Sequence, residues 1–403
     1  MKITRMSALM ALLAAGALTL SACGSDNNAA SSTTAAAAAT SAAGSAVSEA
    51  SSAVSPASSA VVSGSPTAGG TTTFEGAGFS CQTGSLRSSG STAQGIVMEQ
   101  WIAAFNSQCN ATLNPYGGGG SGKGVQDFLT NQVDFAGSDS ALSADQMATA
   151  KTSRCNGNDA VNLPMVIGPI AVAFNVPGVT ALTLTPSVIA QIFNGKITNW
   201  NDPAIAALNK GVTLPDLAIQ AVHRSDDSGT TDNFVKYMKA AAPADWPYQT
   251  GKTWTAPGGV SGQGNDGVGK QVQSTPGSIG YVEWGYAQDQ KLSIAKIDNG
   301  AGAVELTGEA AGKTVAAAQV VGIGKDLTIK IDYATKAPGA YPIVLVTYEI
   351  VCTAGNGDLG SLLQSFLGWT ATTGQTAVAD LGAAPLPPAL QTKVIASVKT
   401  VTS

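Results

Sequence analysis

The chain has 403 residues, of which only 12% are charged, with 47 glycines and a formal net charge of −5. That length is more than one small core needs, and the acidic balance excludes broad electrostatic attraction for nucleic acid. Any anion site here has to work by local geometry rather than by long-range steering.

Residues 1–22 carry Lys2 and Arg5, then an apolar run from Met6 to Leu20, and close on Ser21 and Ala22 before Cys23. That order reads as a bacterial lipoprotein signal, with Cys23 the lipidated (palmitate-type) first residue of the exported chain. No further apolar run is long enough to span a bilayer, so the lipid is the expected membrane anchor and the protein is expected to be extracytoplasmic. Residues 23–73 are almost wholly Ala, Ser, Thr, Gly and Val, without aromatic, Lys or Arg. They bury too little to offset ordering entropy and read as a flexible tether.

Cys81, Cys109, Cys155 and Cys352 remain for the exported head, which favours two disulfides among three pairings. Bracketing of the first strand and helix points to Cys81 with Cys109, and Cys155 with Cys352 by elimination. No CxxC or Cys/His cluster is present, so neither a metal nor a cofactor is expected.

From about residue 74 the head alternates strand and helix. GSLRSSGST reads as strand and turn, AQGIVMEQWIAAF as an amphipathic helix, and ATLNPYGGGG as strand and glycine loop. GVQDFLTNQ is a helix, VDFAGSD a short buried strand, and LPMVIGPIAVAFNV a long one ending at Pro-Gly. PSVIAQIFNG (helix), IQAVHRS (strand), TTDNFVKYMKAA (helix) and GSIGYVEW (strand) follow. YPIVLVTYEIVC is a last buried strand, before a helix with Leu359, Leu362, Leu363, Phe366 and Leu367 on one face. Repeated strand–loop–helix units predict an α/β fold with mixed, mostly parallel sheets, whose ligands sit at the carboxyl ends of strands.

Four such junctions are rich in hydroxyls and glycines. They carry Thr92, Ser121, Asp139 and the group Arg224, Ser228, Gly229 and Thr230. Each offers free N–H groups at a helix start, although Ser, Thr and Asp are also the ordinary capping residues. Arg224 adds a planar fork suited to oxyanions, and Asp226 is placed to hold it. A carboxylate at Asp139 facing an anion is tolerable only if that anion carries a proton, which hydrogen phosphate does and sulfate does not.

Other patterns are discounted. Gly117-x-x-x-x-Gly122-Lys123 has Walker A spacing but Gly124 where a hydroxyl is required. GQGNDG (262–267) lacks a readable preceding strand, so it is taken as structural. The single histidine, His223, could serve a Ser–His–Asp triad with Ser121 or Ser228, but it sits at the end of a strand pattern and neither serine lies in a G-x-S-x-G elbow. Trp101, Trp200, Trp284 and Trp369 are read as core.

SGSTAQGIVMEQW, GGGGSGKGVQDFLTNQVDFAGSDSALS, NGKITNWNDPAIAALN, VHRSDDSGTTDNF, GNDGVGKQVQSTPGSIGYVEWGYA and PLPP together resemble the phosphate-binding lipoproteins of bacterial phosphate ABC transporters, over roughly Gly84 to Val401. The resemblance implies a two-domain periplasmic-binding fold of type II, with hinge strands and a ligand cleft between the domains. Domain I would be 74–168 with 333–403, and domain II 169–332. It implies phosphate ligands at Thr92, Ala93 (through its N–H), Ser121, Asp139, Arg224, Ser228, Gly229 and Thr230, with Asp226 orienting the arginine. Ala93 stands where family members often carry an aromatic, and Lys123 replaces a small residue. Implied partners are inorganic phosphate (arsenate, protonated alike, is expected to bind too), the permease subunits of the transporter, and the membrane through the lipid alone. The chain is expected to be monomeric, non-enzymatic and indifferent to nucleic acid. A secreted phosphoester hydrolase and a surface adhesion or signalling protein on the same fold are the alternatives.

Overall fold

Apolar and β-branched side chains line Ala160–Asn175 and Val344–Cys352 almost without interruption, and every residue of both strands except Asn175 is buried. These strands form the centre of a mixed sheet in the computed structural model, which describes residues 77–403. The predicted signal, the tether and Cys23 lie outside the described residues. Across the sheet the order is Ser88–Gly90, Phe135–Ser138, Val344–Cys352, Ala160–Asn175, Ser278–Glu283, Gln220–Arg224 and Val260–Gly262. The wings are parallel, as strand–helix–strand units require. The centre is antiparallel.

The long strand changes partner part-way. Ala160 to Pro169 face Val344–Cys352, whereas Ile170 to Asn175 face Ser278–Glu283. Two groups of helices follow from this division. Gly95–Cys109 buries Val97, Trp101 and Phe105, and stops at Asn110 in the left-handed conformation (φ 52°). Phe105 packs edge-on against Phe366 of Gly360–Thr370 at 5.2 Å between ring centres, and this helix buries the predicted Leu362, Leu363 and Leu367. On the other side Phe193, Phe234 and Tyr281 form an aromatic core beneath Gly229–Ala241. Trp101, Trp200 and Trp369 are buried as expected, and Trp284 partly so.

Two expectations need correction. Residues 111–116 do not form a strand of the sheet. They run beside Gly84 to Gly90 through isolated bonds such as Thr112 N–H to Gly84 O and Asn114 N–H to Leu86 O, because Pro115 and the glycines after it break a regular ladder. Conversely, Val260–Gly262 is a strand, leading into the helix Gly264–Ser274. The glycine–proline run before it hid three residues of regular pairing.

Both expected disulfides are formed, Cys81–Cys109 and Cys155–Cys352. The second joins residues 197 apart and restrains much the larger loop of the unfolded chain. Replacing Cys155 and Cys352 together with serine is expected to cost about 2–5 kcal/mol. That corresponds to a melting temperature lower by roughly 5–10 °C in a thermal scan, and an unchanged melting point would show the bond to be dispensable.

Candidate functional site

The predicted junctions converge. At the end of Ser88–Gly90, the Ser91 hydroxyl accepts the Ala93 N–H at 3.0 Å and caps the 3-10 turn Thr92–Gln94. The glycine loop bridges to the same strand through Gly90 and Gly119. Gly118, Gly119 and Gly120 have φ of 47°, 93° and 94°, where any side chain would be strained. Gly120 also caps Ser121–Leu129 without a side chain, which frees the Ser121 hydroxyl for other bonds. Lys123 points away. It is half exposed and paired with Asp127 one turn on.

Ser121 Oγ donates to Asp139 Oδ2 at 3.2 Å and accepts the Asp139 N–H at 3.0 Å. Thr347, from the central strand, donates to Asp139 Oδ1 at 2.7 Å. Asp139 does not cap the following helix. Ser143 does that, in a capping box with Gln146, so the Asp139 carboxylate is left to the site. Burial pushes this carboxyl above its ordinary range, while bonds from Ser91, Thr347 and Ser121 and the charge of Arg224 pull the other way.

Arg224 is almost fully buried at the end of Gln220–Arg224. Asp226 grips it from one side, Nε to Oδ1 at 2.8 Å and Nη2 to Oδ2 at 2.5 Å. This is no surface pair: the two side chains are 1% and 8% exposed. Burial alone would raise the Asp226 carboxyl, but the bonds and charge of Arg224 outweigh it and hold it below the usual range. The guanidinium edge left over points at the predicted hydroxyls, Nη2 to Thr92 Oγ1 at 3.1 Å and Nη1 to Thr230 Oγ1 at 3.3 Å.

Gly229 opens the helix Gly229–Ala241 and lies directly against the other side of the site. A Cβ there would meet Ser121 Oγ at 2.4 Å and Asp139 Oδ2 at 2.5 Å. Ser228 caps the same helix by accepting the Thr231 N–H at 3.1 Å, so the capping reading of this serine is correct as far as it goes. The two sides also touch through Asn233 Nδ2 to Asp139 O, at 2.8 Å. The eight predicted ligand residues therefore lie at neighbouring junctions, all buried but the half-buried Thr92: hydroxyls, helix starts and one cation around one carboxylate. Such a set matches a tetrahedral oxyanion that retains a proton.

Sequence reasoning missed three members. Asn265 donates to Thr92 Oγ1 at 3.1 Å, and its neighbour's Gly264 N–H to Asp226 Oδ1 at 3.1 Å. Both belong to GQGNDG, so that stretch is a fifth strand-to-helix junction at the site rather than a mere structural turn. Thr347 is the third, and a hydroxyl in an apolar strand gave no periodic signal. His223 stacks on Trp254 at 5.1 Å, with Nδ1 at 3.0 Å from Arg224 O. Ser121 and Ser228 are both bonded elsewhere, so no Ser–His–Asp arrangement forms.

The sequence matches the family described as PBP superfamily domain over residues 27–373. It is 40% identical over 408 residues to the phosphate-binding protein PstS 3 of Mycobacterium tuberculosis, covering 100% of each chain. It is 35% identical over 318 residues to the phosphate-binding protein PstS of Xylella fastidiosa, covering 77% of this chain and 84% of the other. A solved high-affinity periplasmic phosphate-binding protein, bound with phosphate at pH 8.5, shares the fold with a TM-score of 0.64 at 20% identity. That likeness covers 77% of this chain and 93% of that one.

Proposed function

This chain belongs to the PBP superfamily, among the PstS phosphate-binding proteins, and from that premise we propose that it captures inorganic phosphate outside the cytoplasm and hands it to the permease of an ABC transporter. The observation that carries the reading is Asp139, a buried acceptor set among donors from Ser121, Thr347 and Arg224's hydroxyl partners. Hydrogen phosphate supplies the proton such an acceptor needs. Sulfate would leave two acceptors buried face to face.

In this reading Thr92, the Ala93 N–H, Ser121, Arg224, Ser228, Gly229 and Thr230 donate to phosphate oxygens, and Asp226 orients Arg224. The change of partner along the long strand at Pro169 and Ile170 supports lobes of 74–168 with 333–403, and 169–332, closing on the ligand. Cys23 would tether the head by its lipid. The protein would act as a monomer and without turnover.

Calorimetry on the unit Thr67–Ser403, with phosphate, arsenate and sulfate, tests this. Wild type is expected to bind phosphate at about micromolar or tighter, near −8 kcal/mol or beyond, arsenate comparably, and sulfate at least about a hundredfold more weakly. Asp139→Asn is expected to narrow that gap by at least about tenfold, since an amide can donate to a deprotonated oxygen. A folded wild type that ignores phosphate would sink the proposal.

A further inference from the structure

Glu349 is an acid in the middle of the buried strand Val344–Cys352, and no part of the site described above uses it. It lies two residues beyond Thr347, on the same face of the strand, and pairs in register with Gly137. Gly137 has no side chain because its space is taken: a Cβ there would stand 2.1 Å from Gln94 Nε2 and 2.5 Å from Tyr116 Oη. These two groups lead to the anion site. Gln94 Nε2 donates to Tyr116 Oη at 3.1 Å, and Tyr116 Oη donates to Ser91 O at 3.0 Å. Ser91 precedes Thr92 and caps its turn.

The polar groups around Glu349 do not balance if it is ionised. Glu349 is 0% exposed, and neither of its carboxyl oxygens has a well-formed hydrogen bond; Gln94 Oε1 has none either. Gln94 is the one polar side chain that acts on the carboxyl favourably, and it brings no charge. A neutral carboxylic acid supplies an O–H donor and relieves the conflict, whereas a carboxylate would be buried without a counterion.

No neighbouring element supplies one. The flanking strands Phe135–Ser138 and Ala160–Asn175 carry no ionisable side chain. The helices Gly229–Ala241 and Gly308–Ala316 pack on the strand, but Lys236 is paired with Asp232, Lys313 with Glu309, and Lys239 is exposed. The buried Arg154 is turned to Cys352 Sγ and Asp134 O at the strand's far end. Arg224 is held by Asp226. Asp139, the charged neighbour that acts on Glu349, is itself an acid.

We propose that Glu349 is a positioning residue that carries a proton, holds the Ser91–Thr92 turn through Gln94 and Tyr116, and thereby couples phosphate binding to that proton. The proposal rests on the phosphate reading of the site. Burial, offset only in part by Gln94 and reinforced by Asp139, pushes Glu349 up to about 8. A bound phosphate brings more negative charge and strengthens the hold on the proton. By reciprocity, losing the proton weakens phosphate.

The linkage can be read on the alkaline side, where phosphate has finished its own second ionisation. Between about pH 8 and pH 9.5, wild-type affinity for phosphate is expected to fall roughly tenfold, the limit for one proton being tenfold per pH unit. Glu349→Gln, a neutral isostere with a donor, is expected to stay within about twofold over that range. An equal fall in the variant overturns the linkage. Infrared spectra of phosphate-free protein provide a separate readout. The wild type is expected to show, at neutral pH, a protonated carboxyl band that titrates away in alkali and is missing from Glu349→Gln, and its absence overturns the proton assignment. A band present in a wild type that does not bind phosphate would instead strike the phosphate reading and the coupling with it.

The same proton makes Glu349 a cost to folding as pH rises. Because the folded value lies above the ordinary 4.5, the folded state binds the extra proton from about pH 4.5 to 8, and stability falls across that window. Glu349→Gln is therefore expected to melt above wild type at pH 8, with the gap closing toward pH 4.5. A constant gap would indicate repacking alone.

Discussion

Replacing Arg224 with alanine is expected to weaken phosphate binding by roughly 150- to 20,000-fold. In the proposed site the guanidinium is the buried cation, and its fork reaches both Thr92 and Thr230 while Asp226 holds its opposite edge. Two charge-assisted hydrogen bonds at ~1.5–3 kcal/mol each account for that range. The loss has a second part. Asp226, 8% exposed in wild type, would keep only the Gly264 N–H and its own backbone to satisfy it, and a buried charge stripped of its partner costs about 3–5 kcal/mol. Arg224→Ala should therefore also melt lower than wild type. Arg224 and Asp226 replaced together should recover part of the stability and none of the affinity. Lysine at 224 would keep a charge but lose the fork, and is expected to remain well short of wild-type affinity. Calorimetry and thermal scans on these variants separate the two losses. Affinity within tenfold of wild type in Arg224→Ala would remove this residue from the site.

Gly229→Ala is the second large effect, and it arises from crowding rather than charge. The residue opens a helix without a left-handed backbone, so alanine suits its conformation. The new methyl, however, would stand 2.4 Å from Ser121 Oγ and 2.5 Å from both Cβ and Oδ2 of Asp139. None of those atoms is the free end of a flexible side chain. Relief comes only by moving the Gly229–Ala241 helix away from the Ser121 and Asp139 side. Overpacking of this kind costs about 1–3 kcal/mol, which corresponds to roughly 5- to 150-fold in phosphate affinity. The ligand-free protein should melt within a few degrees of wild type, because each side keeps its own core. Phosphate should then raise the melting temperature of the variant far less than that of wild type. If binding is unimpaired, the contact between Gly229 and Asp139 is not part of the bound state.

How far the sequence speaks for this site depends on what kind of residue is asked about. Arg224, Ser228 and Thr230 were legible because a strand end, a charge and a helix start fall within seven residues, and short-range geometry brings them together. Asp139 was singled out from chemistry, as an acid among donors that only a protonated anion would tolerate; its freedom from capping duty, which falls to Ser143, came from the structure. Asn265 was obscured by turn residues around a strand only three residues long. Thr347 and Glu349 belong to a strand whose every residue is buried, so alternation, the usual guide to a strand's faces, is absent. An acid in such a strand is itself a signal, but its partners Gln94 and Tyr116 come from far away in the chain. The α/β class and Cys81–Cys109 followed from local patterns, and Cys155–Cys352 only by elimination. The antiparallel centre of the sheet did not, because long-range pairing leaves little local trace.

The placement of Val344–Cys352 also has a consequence for biosynthesis. This strand lies between Phe135–Ser138 and the first half of Ala160–Asn175, and Cys352 closes a bond to a cysteine 197 residues earlier. A chain made from its N-terminus thus presents two apolar strand edges long before the segment that covers them exists. Non-local pairing of this kind folds late and leaves its edges open to association with other nascent chains. Pro164 and Pro169 interrupt the donors along the longer of those edges, which makes it a poor template for a foreign strand while its own partner is still being synthesised.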